Sequence, residues 1–167
     1  AFAGPPYLTD DPQPTEYKKY EIYLFENISR SNDGKDSEYG VDFNYGGFEN
    51  TQLTAVLPWV TNKANGEKSQ SGFGNPELAV KYKFANQEVE GFPFTIVGYN
   101  TLDVNTKLTT DEYPMLKGAQ RLSYTSQLLI SRKFSESFSF EVNPIYVHKN
   151  LYDKALENKD EFLVAAG

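Results

Sequence analysis

The chain has 167 residues, a net charge of −7 and no cysteine, so it is one domain in size and holds neither a disulfide nor a thiolate metal site. Asp and Glu number 23 against 16 Lys and Arg, which excludes the basic face that nucleic-acid phosphates require. No stretch approaches the roughly 18 apolar residues of a transmembrane helix, whereas a negative mean hydropathy is compatible with strands that face lipid on one side only.

In chain order, Ala1-Phe2-Ala3 matches the small-x-small end of a signal peptide and implies export with that peptide removed. Residues 4–16 carry four prolines. Proline cannot donate to the middle of a ladder, so 1–16 reads as an extended periplasmic tail ahead of a β-domain over 17–167. Within it Asp10 and Asp11 read as a polar turn, with plugging of a lumen or docking of a periplasmic partner as the functional alternative.

Period-two alternation then predicts strands over 17–27, 39–46, 51–60, 76–85, 92–101, 119–131, 138–148 and 160–167. The predicted connections alternate long (28–38, 61–75, 102–118, 149–159) and short (47–50, 86–91, 132–137). Outer-membrane barrels have short periplasmic turns and long outer loops, and a soluble β-protein has no reason to collect its spare chain at one end. The predicted lengths bracket the roughly 9–11 residues that cross hydrocarbon at a tilt. The fold expected is therefore an all-β, antiparallel, up-and-down transmembrane barrel with about eight strands in this chain. The last strand breaks off without a terminal aromatic, so this is read as part of a larger barrel.

Each strand divides its residues between two faces. The apolar set is assigned to lipid: Leu53, Leu57, Trp59, Leu78, Val80, Tyr82, Phe84, Leu122, Tyr124, Leu128, Phe140, Val142 and Tyr146. The polar set is assigned to the lumen: Glu21, Asp42, Asn44, Lys81, Lys83, Arg121, Gln127, Glu141 and Asn143. A soluble barrel with an apolar interior would show the same alternation, so loop asymmetry rather than face chemistry carries the membrane reading. Twelve Tyr and twelve Phe, with Trp59, suit the aromatic girdles of such a wall.

The opening Gly4-Pro-Pro-Tyr-Leu-Thr-Asp-Asp-Pro12, the strand near 17–25 and the run Gly72-Phe-Gly-Asn-Pro-Glu-Leu-Ala-Val-Lys-Tyr-Lys-Phe84 resemble the outer-membrane proteins grouped as "meta-pathway of phenol degradation". The segments Arg121-Leu-Ser-Tyr-Thr-Ser-Gln-Leu-Leu-Ile-Ser-Arg-Lys-Phe-Ser135 and Asn143-Pro-Ile-Tyr-Val-His-Lys-Asn150 resemble an uncharacterised outer-membrane barrel family of Bacteroidota. Both resemblances imply a barrel, the first a transporter, and neither supplies a functional residue.

Catalytic constellations are scarce, and an enzyme is not expected. His148 is the only histidine, which precludes a histidine metal cluster; as a general base it would need Ser139 or Asn143, and odd spacing puts both on the opposite face. Asp153, Glu157 and Asp160 lack the glycine-punctuated spacing of a calcium loop and read as a solvated acidic surface. Gly72-Phe-Gly74 precedes a strand rather than a helix and is not a phosphate loop. The expectation is passive passage of small or hydrophobic solutes without cofactor or metal, in the bacterial outer membrane, with lipid and possible envelope proteins or further copies of the chain as partners. The alternatives are a structural barrel anchoring a larger envelope complex and a soluble lipocalin-like carrier.

Overall fold

Backbone pairing carries the alternation further along the chain than side-chain polarity suggests. A computed structural model describes residues 12–31, 34–64, 66, 68–104, 122–135, 137–148 and 160–166. Eight long strands follow one another: β1 (Tyr20–Ser31), β2 (Gly34–Phe48), β3 (Thr51–Ala64), β5 (Glu77–Ala85), β6 (Thr95–Val104), β7 (Leu122–Ser135), β8 (Phe138–His148) and β9 (Asp160–Ala166). A short β4 (Gln70–Phe73) and a helical turn α1 (Gln87–Glu90) complete the described elements. They form one antiparallel sheet in the order β1-β2-β3-β5-β6-β7-β8-β9, with β4 paired to β3. Each long strand lies beside its predecessor and successor among the long strands, and β1 and β9 form the two edges.

All eight expected strands are present, and the expected loops are corrected where strands run into them, at 28–38, 61–75, Leu102–Val104 and Arg132–Ser135. Residues 28–31 and 34–38 are ladder rather than loop: β1 and β2 stay paired from Tyr20↔Tyr45 to Ser31↔Gly34. Ser, Asn, Asp and Lys signal a turn, yet main-chain hydrogen bonds do not need apolar side chains, and β3 continues the same extension through Gly34↔Ala64. In 61–75, β3 runs on to Ala64 and β4 folds back along it, with Trp59 and Phe73 edge to face at 5.1 Å. The surplus chain at this end is thus partly sheet that projects past its neighbours. Of the other two expected long loops, residues 105–118 and 149–159 lie outside the described residues, while β6 takes in Leu102–Val104.

At the opposite end two residues separate β2 from β3 and β7 from β8 in tight reversals, and residues 86–94 join β5 to β6. Residues 86–91 contain a capped helical turn that the alternation misses: the Asn86 side chain accepts from the Glu88 amide at 3.1 Å, and Gly91 closes it in the left-handed region. Between β2 and β3 only Glu49 and Asn50 turn the chain, and Asn50 has φ 59°. A β-branched residue pays a steric penalty there, so Asn50→Val is expected to lower stability by about 1–2 kcal/mol, whereas Asn50→Gly is not; thermal unfolding in detergent compares them.

Burial is inverted relative to a soluble protein. Among the described residues, buried polar side chains (Thr15, Asn44, Gln52, Thr54, Lys81, Thr95, Thr101, Asn143) outnumber buried apolar ones (Ala79, Ala85, Val97, Tyr99, Leu129). Large apolar side chains lie exposed along every long strand but β6. The sheet register explains this. One row across the whole sheet reads Tyr20, Tyr45, Leu53, Val80, Asn100, Ser126, Tyr146, Phe162; the adjacent row, on the other face, reads Glu21, Asn44, Thr54, Ala79, Thr101, Thr125, Val147, Glu161. Single-layer sheets do not bury side chains unless they curl, and Val97 and Asn143, on the second face, are 0% and 1% exposed. That face is therefore the inner one.

Candidate functional site: a charge-layered inner face

Register stacks the inner face in layers along the strands. Toward the tight reversals, Lys83, Val97 and Leu129 share one layer, and Gln52, Lys81, Tyr99 and Gln127 form the next. Two layers beyond, Tyr23, Asp42, Val56, Glu77, Asp103 and Ser123 form a belt with a carboxylate on three different strands. Glu38 and Asp36 continue the acidic wall on the projecting hairpin. Lys81 and Lys83 lie nearer the tight reversals than the acid belt does, and Glu141 lies one layer beyond them at the reversal end.

Side-chain bonds fix the belt. Asn44 Nδ2 donates to Asp42 Oδ1 at 2.9 Å, and Tyr99 donates its hydroxyl to Glu77 Oε1 at 3.1 Å. Gln52 Nε2 donates to Asn44 Oδ1 at 2.6 Å and to Thr54 Oγ1 at 3.0 Å, and Thr54 in turn donates to Asn44. Lys81, 4% exposed, packs its ammonium over the Tyr99 ring at 4.9 Å. A cavity of about 200 Å³ is bounded by Gln13, Glu21, Tyr23, Asp42, Asn44, Gln52, Thr54, Val56, Glu77, Lys81 and Tyr99. A second recess of about 460 Å³ lies on the hairpin, with Glu26, Asp36 and Glu38 and no base in its lining. Gln52→Leu strips partners from Asn44, Thr54 and the Thr15 amide. It is expected to destabilise the protein by about 1–3 kcal/mol, measurable as a lower temperature in a heat-modifiable gel shift.

The sequence-derived residues fall where alternation puts them. Glu21, Asp42, Asn44, Lys81, Lys83, Gln127, Glu141 and Asn143 occupy inner positions, and Gln127 accepts from Asn143 Nδ2 at 3.1 Å. Arg121 lies outside the described residues. Leu53, Leu57, Trp59, Leu78, Val80, Tyr82, Phe84, Leu122, Tyr124, Leu128, Phe140, Val142 and Tyr146 occupy outer positions. Two belt carboxylates were not among the candidates: Glu77, which opens β5, and Asp103, which lay in an expected loop. The apolar group Ala79, Val97, Tyr99 and Leu129 inside the wall was also not foreseen.

His148 Nδ1 contacts Asp160 Oδ1 at 2.5 Å, and Tyr146 donates to the same carboxylate at 3.2 Å, so Asp160 is engaged at the β8–β9 pairing. Ser139 and Asn143 lie on the opposite face from His148. Asp153 and Glu157 lie outside the described residues.

Residues 33–167 match the family described as Membrane bound beta barrel domain (DUF5777). The chain belongs to this family. Its exposed apolar face and buried polar face are the inversion that membership demands, and the reading as a soluble lipocalin-like carrier is set aside with it. No curated protein and no solved structure matches the chain.

Proposed function

We propose that this membrane-bound barrel lies in the bacterial outer membrane and passes small polar solutes without covalent chemistry, with a bias toward cations. The observation that carries this reading is the belt of Asp42, Glu77 and Asp103, since rings of carboxylates are how pores favour cations. The acidic hairpin recess lies on the same side as the belt and draws cations toward it. Hydrophobic solutes, admitted by the sequence alone, fit this polar wall less well.

Spare strand length at one end and tight reversals at the other favour an outer-membrane orientation with the reversals in the periplasm. A closed eight-stranded barrel leaves room for side chains only. This inner face also carries the backbone of residues 12–16, so closure would draw on strands beyond the eight described, pairing with β1 and β9. Kinship with the phenol meta-pathway and Bacteroidota families belongs to the same proposal.

Purified protein reconstituted in planar bilayers tests the reading. Discrete currents carried more by potassium than by chloride support it. Stable insertion without current would instead favour a structural barrel that anchors an envelope complex.

A further inference from the structure

Residues 12–16 cross the inner face instead of trailing away from it. Thr15, 4% exposed, donates its amide to Gln52 Oε1 at 2.8 Å and its hydroxyl to Glu21 Oε2 at 3.0 Å. Gln13 accepts from Lys83 Nζ at 2.6 Å, and Pro12 lines a small recess together with Leu129 and Asn143. The segment thus reaches from β1 and β3 past β5 to β7 and β8, bridging strands that are far apart in the sheet order.

Its root is anchored by main chain. Lys18 N donates to Gly46 O at 2.7 Å, Gly46 N to Lys19 O at 3.0 Å, and Lys19 N to Glu16 O at 2.9 Å. Lys18 has φ 61°, as the third residue of that tight turn requires when φ is positive. A Cβ at Gly46 would stand 2.0 Å from Glu16 O, so glycine there is what lets the segment lie down on β2.

We propose that residues 12–16 form an internal strap that narrows the passage at its tight-reversal end and shifts when a solute leaves the carboxylate-lined cavity. Gln13 supplies one wall of that cavity and engages Lys83, while the acid belt lies two and three layers further on, clear of the strap's bonds to Lys83 and Gln52. Gln13 and Thr15 are then specificity-determining: loosening the strap widens the path and brings the Lys83 ammonium into it. The inference rests on the passage reading above.

Three variants and two readouts test it. Gly46→Val dislodges the root, and Thr15→Val with Gln13→Ala removes the side-chain bonds should the glycine variant fail to assemble. Either is expected to raise single-channel conductance several-fold and to lower the preference for potassium. The chain has no cysteine, so a Gln13→Cys, Lys83→Cys pair bridged by a short cleavable bis-thiosulfonate reagent is expected to hold conductance low until reductant restores it. Independently of current, a Cys at Ala79 is expected to react faster with a membrane-impermeant maleimide in the loosened backgrounds. Conductance and labelling unchanged by every variant would overturn the strap. Labelling that responds while no variant conducts would support the strap as a barrier and overturn the passage reading instead.

Discussion

Leu78→Arg is expected to abolish stable membrane assembly, while Thr125→Lys on the other face leaves it intact. Leu78 is 58% exposed, at the middle of an outer row with Ala55 and Leu102, and the aromatics Tyr82 and Phe84 follow it toward the tight reversals. On β2 the outer residues from Tyr39 to Tyr45 span six steps, about 20 Å along the strand, close to the roughly 25 Å apolar band of barrels in lipid. A guanidinium at mid-depth of such a band costs about 2–4 kcal/mol, a large share of a stability of roughly 5–15 kcal/mol. Thr125 faces the polar interior, where an ammonium meets water and carboxylates. Folding into vesicles, followed by heat-modifiable migration and protease resistance, checks both. Equal tolerance of the two substitutions would contradict the assignment of faces.

Neutralising the acid belt is expected to change selectivity without changing the fold. Asp42→Asn, Glu77→Gln and Asp103→Asn keep the side-chain shapes and remove the three acids from one layer. A cation a few ångströms from one such carboxylate gains about 1 kcal/mol in water-like surroundings. The triple variant should therefore lower the potassium-to-chloride permeability ratio at least several-fold, measured as a reversal-potential shift across a salt gradient. The difference should shrink as salt rises toward about 1 M, where the screening length falls to roughly 3 Å. A ratio unchanged at low salt would remove the belt from the account.

Faces were legible in the sequence because side-chain direction alternates with a period of two wherever a strand exists, whatever the pairing partner. Leu78, Val80, Tyr82 and Phe84 against Glu77, Ala79, Lys81 and Lys83 separates cleanly for that reason. Ladder ends were not legible. The polar run Ser29 to Glu38 carries turn residues, and nothing in one strand's composition says that two neighbours will extend the pairing past it. Asp103 was missed by the same mechanism, since β6 continues three residues beyond its last expected position and one of them completes the acid belt.

The tail shows another limit. Prolines 12 and 14 forbid a central ladder position, but the place where the segment lies depends on the Gln52 carbonyl, the Lys83 ammonium and the bare Cα of Gly46. These are long-range coincidences with no local signal. The layering of charge likewise emerges only from register, because Asp42, Glu77 and Asp103 are far apart in sequence and meet through three successive strand pairings.

The most direct measurement is a nitroxide scan along β5 in lipid vesicles, one cysteine at a time from Glu77 to Phe84. The account predicts that labels at 78, 80, 82 and 84 collide with lipid-dissolved oxygen, while labels at 77 and 83 respond to a water-soluble nickel complex and labels at the buried positions 79 and 81 are shielded from lipid-dissolved oxygen. The opposite phase, or nickel access to Leu78 and Val80 in the presence of lipid, would show that the apolar face does not meet hydrocarbon.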